Sequence, residues 1–188
     1  MVNPFPPVGH GPTVSDAGED PPGRGTWWGL AVIVIAIVLA VAFAVATRGS
    51  DDVARAVVAA QARGSQSGAP RVTPSGAPAE TAAGVAFPDL MARQGWSAVG
   101  RRKDTVSDRT VTTLIYERVG RRIAYSVVSG PPLGAPPGSR AIVGRATVVF
   151  GFDADGRTVV MVTRGGRSAI ISGLDASPSA LVRVARTP

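Results

Sequence analysis

The sequence predicts an α+β chain: one transmembrane helix, then a mostly antiparallel β-sheet domain of about six strands with short flanking helices. Three observations predict it. Residues 27–47 carry no charge. Residues 87–188 hold six segments rich in β-branched and aromatic residues, joined by turn-length connections. Between these regions and ahead of them the chain is rich in Pro, Gly, Ala and Ser, and its 23 Gly and 16 Pro imply long irregular segments.

Residues 1–26 are read as a disordered tail, because proline fixes φ and removes donors and no apolar period is present. His10, the one histidine of the chain, lies here and is read as solvated. From Leu30 to Ala46 every residue is apolar, and Trp27 to Thr47 gives 21 residues without a charge. A helix of that length spans roughly 31 Å, close to the ~30 Å hydrocarbon core of a bilayer. A helix at the surface of a soluble core would show a polar face, and this stretch has none. Trp27 and Trp28 suit one headgroup level, and Arg48 suits the other as an interfacial anchor. The lipid bilayer is therefore the first expected partner. Ala44–Ala46 resembles a signal-peptidase site, but the apolar stretch is long and its leading segment is acidic, which favours an uncleaved signal-anchor.

Residues 48–63 read as a juxtamembrane helix. Ser50 can cap it, Asp51 and Asp52 suit its positive end, and Val53, Val57 and Ala60 share a face. A spacer and a helix that pairs with a partner both fit. Residues 64–86, an Ala/Pro/Ser/Gly-rich stretch, read as a linker that holds the next domain off the membrane.

The sheet domain is assigned to residues 87–188. Phe87–Gly95 is expected as a short helix with Leu90 and Met91 turned inward and Gly95 at its end. Strands are expected in WSAVGRR, RTVTTLIYERV, RRIAYSVVSG, GRATVVFGF, RTVVMVTR and RSAIISG. Turns fall near Gly120, at Asp153–Gly156 and at Gly165–Gly166, and Pro131–Ser139 is a loop. A closing helix starts from Ser177 as cap and Pro178 at its first position. The terminal helices are expected to cover one face of the sheet.

Residues 87–188 hold fifteen basic side chains against seven acidic ones. Arg101, Arg102, Lys103 and Arg109 form a possible anion-binding patch; the alternative is a charged hairpin loop beside Asp104 and Asp108. An anionic envelope component or a protein is the expected partner. Nucleic acid is not, since Trp96, Tyr116, Tyr125, Phe150 and Phe152 read as core. The chain has no cysteine, and this domain has no histidine, so no nucleophilic triad can form. Asp153–Gly156 resembles the start of a calcium loop, but the twelfth position is Arg164. No catalytic, cofactor-binding or metal-ligating residue is assigned, and no enzymatic activity is expected.

Pro88–Leu90, Gly95–Trp96, Arg109–Tyr116, Ile123–Gly130 and Arg164–Gly173 together resemble the extracytoplasmic domain of actinobacterial membrane-anchored anti-sigma-factor-like proteins. The resemblance covers about half the chain and its motifs are structural. It implies a regulator whose sheet domain senses or binds outside the cytoplasm. The family's sigma-binding zinc part, which precedes the span, has no counterpart in residues 1–26, so direct sigma-factor binding is not expected. Where relatives show a His and a Cys in the last strand, this chain has GGRSAI. The resemblance also implies a cytoplasmic N-terminus and an extracytoplasmic C-terminal domain. Positive-inside counting opposes this, with Arg24 on one side and Arg48, Arg55 and Arg63 on the other. The alternative function is an accessory envelope protein whose sheet domain docks a partner without signalling.

Overall fold

The computed structural model describes residues 49–143, 148–173 and 176–188. The apolar stretch 27–47, with Trp27, Trp28 and the flanking Arg48, lies outside them, as does the tail 1–26. Among the described residues no helix is long and apolar enough to cross a membrane.

The first described element is a helix, α1, over residues 49–62. Val53, Ala54, Val57, Val58, Ala60 and Gln61 are buried, and the residues between them are exposed. That stripe follows the helical period and needs a surface to cover it. The surface is the sheet. The next segment contains a two-stranded ribbon, β1 (Thr81–Ala82) and β2 (Val85–Ala86), and a five-residue helix α2 (Leu90–Gln94). Asp89 caps α2 by accepting from the Ala92 amide, and Gly95 ends it in the left-handed region at φ 71°.

Seven antiparallel strands then form one sheet: β3 (Ser97–Val106), β4 (Arg109–Arg118), β5 (Arg121–Val128), β6 (Arg140–Val143), β7 (Val148–Ala154), β8 (Arg157–Arg164) and β9 (Arg167–Gly173). Their spatial order is β3-β4-β5-β9-β8-β7-β6. Two meanders, β3-β4-β5 and β6-β7-β8-β9, are joined by the antiparallel pairing of β5 with β9, Tyr125 opposite Ile171. The connection from β5 to β6 carries the chain to the far edge. α3 (Pro178–Arg186) closes the chain, capped by Ser177 with proline in its first turn.

The central strands are buried on both faces, so Ile123–Val128 and Ser168–Gly173 are continuously covered. On one face α2, α3 and the β1–β2 ribbon enclose Phe87, Leu90, Trp96, Tyr116, Tyr125, Ile171 and Leu181. On the other, α1 and Leu133 of the β5–β6 connection cover Val111, Val128, Val159, Met161 and Ile170.

Several expectations change here. The α+β class and antiparallel pairing hold, as do both flanking helices with their caps. The sheet has seven strands, because Arg140–Val143 pairs with β7, and the short ribbon is additional. Helices lie on both faces, since α1 occupies the one expected to be open. Met91 points outward and is 52% exposed; Leu90 alone fills the inward position of so short a helix. The stretch 64–86 does not stand apart as a spacer. The Gln66 amide donates to the Arg101 carbonyl at 2.9 Å, Ser67 and Arg101 exchange backbone bonds, and Ala82 and Val85 enter the core. The folded unit therefore includes α1 and extends well before Phe87.

Candidate binding groove

α1 is held to the sheet by hydrogen bonds as well as by apolar contact. Gln61, in the last turn of its buried stripe, sends its side-chain amide over the central strands. Nε2 donates to Ser126 Oγ on β5 at 2.7 Å and to the Ile170 carbonyl on β9 at 3.1 Å. Ser172 Oγ donates to Gln61 Oε1. Thr113 Oγ1 on β4 shares a 2.7 Å bond with Ser126 Oγ. Both amide protons and the amide oxygen are thus used, as a buried amide requires.

Just beyond, the chain leaves α1 and lies down on β3. A β-bulge between Ala98 and Gly100 shifts the β3 register there. A Cβ at Gly100 would stand 2.6 Å from Ser65 Cβ, so this close approach requires glycine. Arg102 fixes the junction: it clasps Asp104 through Nε at 2.7 Å and Nη2 at 2.9 Å, and its Nη1 donates to the Gly64 carbonyl. Arg63 adds a 3.3 Å contact to Asp104, whose side chain is only 8% exposed.

These contacts leave a groove of about 380 Å³ at the C-terminal end of α1. Gln61, Ala62 and Gly64 form one wall, and Ile115 and Ala124 belong to the sheet side. Arg122 and Arg157 also line it. Arg122 holds Glu117 at 2.7 Å and is largely exposed, so it can turn toward a ligand at small cost. Two guanidinium groups beside a small apolar surface suit a ligand with an acidic group and a compact apolar part.

The residues expected to form an anion patch do not converge. Arg102 lies on the α1 face of β3, engaged with Asp104. Arg101 and Lys103 alternate to the opposite face. Arg101 contacts Glu80 at 3.5 Å and Ser67 Oγ at 3.0 Å. Arg109 donates to the carbonyls of Pro131, at 2.6 Å, and Ser129. Lys103 is exposed, with its backbone amide held by Gln66 Oε1. The strand expected to end at Arg102 continues to Val106, so Lys103 and Asp104 belong to it and not to a hairpin loop. Among the described residues no group of three His, Cys, Asp or Glu side chains could hold a metal ion.

Sequence reasoning missed Gln61, Ser126, Ser172, Arg122 and Arg157. One signal was present: a glutamine on the Val53–Val57 stripe and a serine inside the apolar run IAYSVV are polar groups at positions that demand burial.

The aromatic face shows a different chemistry. Tyr116 donates its hydroxyl to the Pro88 carbonyl at 3.2 Å, while the buried Tyr125 hydroxyl has no hydrogen-bond partner among the described residues. Burial pushes the Tyr116 phenol well above its ordinary pKa and raises that of Tyr125, where the nearby Arg164 charge partly offsets the rise. Compared with protein-family models, with curated proteins and with solved structures, the chain matches none.

Proposed function

We propose that this chain is a single-pass membrane protein whose sheet domain lies outside the cytoplasm and binds a partner in the groove where α1 meets the sheet. Occupancy of the groove is passed along α1 toward the membrane anchor, as in an anti-sigma-factor-like regulator without a sigma-binding part. The reading rests above all on one observation. Gln61 lines the groove and is also the residue that ties α1 to β5 and β9. A ligand that draws on the Gln61 amide competes with the bonds that hold α1, and this couples binding to the helix. The partner is an anionic envelope polymer or an acidic protein segment, met by Arg122 and Arg157.

Two measurements test this. Alkaline phosphatase fused after Pro188 should be active and a green-fluorescent fusion there dark; the opposite pair places the domain in the cytoplasm. In right-side-out vesicles carrying the full chain, polyglutamate and polyphosphate serve as probes. Binding that weakens at least tenfold in Arg122→Ala/Arg157→Ala supports the groove, and equal binding by that variant removes it.

A further inference from the structure

We propose that the β5–β6 connection, residues 129–139, is a membrane-contact surface, so that the sheet domain stands directly on the bilayer. This inference rests on the reading of 27–47 as a membrane span and deepens it. The uncharged stretch ends at Thr47, and Ser50 follows three residues later. Three residues reach at most about 11 Å when fully extended. Ser50 is already part of the fold: its Oγ accepts from the Gly134 amide at 3.1 Å, and Val53 and Ala54 are buried against the sheet. The Leu133 amide in turn donates to Ser168 Oγ on β9 at 2.7 Å. Gly134 and its neighbours are thereby held close to the bilayer surface. The stretch 64–86 adds no separation, because it follows α1 and returns along β3.

The chemistry of the connection fits that position. From Gly130 to Ser139 there is no charged residue, and Pro131, Pro132, Gly134, Pro137 and Gly138 are exposed. Such a segment enters a headgroup layer without stripping water from a charge. Exposed Arg140 follows it and Arg109 braces it through the Pro131 carbonyl, so guanidinium groups flank the uncharged patch. Arginines at this place can meet lipid phosphates. The opposite end of α1, with Gln61 and the Gly120 turn, lies farther away: Gln61 is eleven positions on from Ser50 along the helix, about 16 Å.

The chain has no cysteine, so single labels can be placed cleanly. The full-length protein carries a fluorophore at Ala135→Cys, Ser139→Cys or Val119→Cys in nanodiscs of phosphatidylcholine and phosphatidylglycerol at about three to one. Quenching by headgroup spin-labelled lipid should be at least threefold stronger at positions 135 and 139 than at 119. Equal quenching at all three sites, or stronger quenching at 119, overturns the proposal. Retention of the unlabelled chain after carbonate washing is measured in parallel. A chain that washes off shows that the span reading itself has failed and takes the contact surface with it. A retained chain with unquenched labels removes the contact surface alone.

Discussion

The two faces of the sheet are covered in different ways. The α2/α3 face is filled by Tyr116, Tyr125, Trp96, Phe87, Leu90 and Leu181, with α3 contributing four buried apolar residues. The α1 face meets its helix through Val and Ala, and it is crossed by the polar chain Thr113–Ser126–Gln61–Ser172. Large side chains supply burial energy with little directional content. Small side chains and a satisfied amide supply less burial and more register, since an amide slid by one residue loses its partners. The first face is built to hold the domain together. The second is built to hold one helix in one place, and that helix leads back toward the apolar stretch.

The largest expected effect tests the first face. Leu181→Ala removes a fully buried side chain and should cost about 2–5 kcal/mol, measured by urea denaturation. A loss below about 1 kcal/mol would make α3 a peripheral cover. Gln61→Ala comes next. It leaves two serine hydroxyls and the Ile170 carbonyl without their amide partner, and it should cost about 2–4 kcal/mol. Comparable loss in a Gln61→Leu variant, which restores volume but not bonds, would tie the effect to hydrogen bonding.

The tyrosines sharpen the contrast through pH. Both phenols ionise less readily when folded than the ordinary phenol at about pH 10. Their contribution to stability is therefore complete below pH 10 and is lost as pH rises past it, by about 1.4 kcal/mol per pH unit for Tyr116, with Tyr125 adding in the same direction. Melting temperatures should fall steeply above pH 10, and Tyr125→Phe should reduce that slope. Because the Tyr125 hydroxyl is buried without a partner among the described residues, the same variant should be as stable as the parent or more so at pH 7. The smallest effect lies at the β4–β5 turn. Val119 has φ 48° and is 93% exposed, a left-handed conformation that a β-branched residue resists. Val119→Asn should stabilise the domain by about 0.5–1 kcal/mol, read as a rise in melting temperature.

What the sequence made legible was local. Gly95, and Ser177 with Pro178, mark their helices through caps and backbone preferences that need no tertiary partner. The Val119–Gly120, Asp155–Gly156 and Gly165–Gly166 turns are two-residue hairpins with positive φ at both positions, set by neighbours in the chain. The parts that stayed hidden are non-local. The β5–β9 pairing brings together residues forty or more positions apart, and no spacing announces it. The Val/Ala stripe of α1 reads equally well as spacer or docking face until its surface is known. A clue was available in IAYSVV and SAIIS, where burial does not alternate as it would in a sheet with one open face. The residues after Arg102 do not read as strand because an edge strand can carry ion pairs on both of its faces. For the same reason the expected anion patch is divided between two faces, and the groove owes its arginines to β5 and β8.

The central claim is that α1 belongs to the sheet domain and, in the function proposed above, couples it to the apolar stretch 27–47. Hydrogen exchange of the full-length chain in nanodiscs tests it most directly. Amides of residues 54–61 should exchange as slowly as those of β5 and β9, and Gln61→Ala should speed them selectively. Exchange over 54–61 as fast as in an isolated helix, with β5 and β9 still protected, would contradict it.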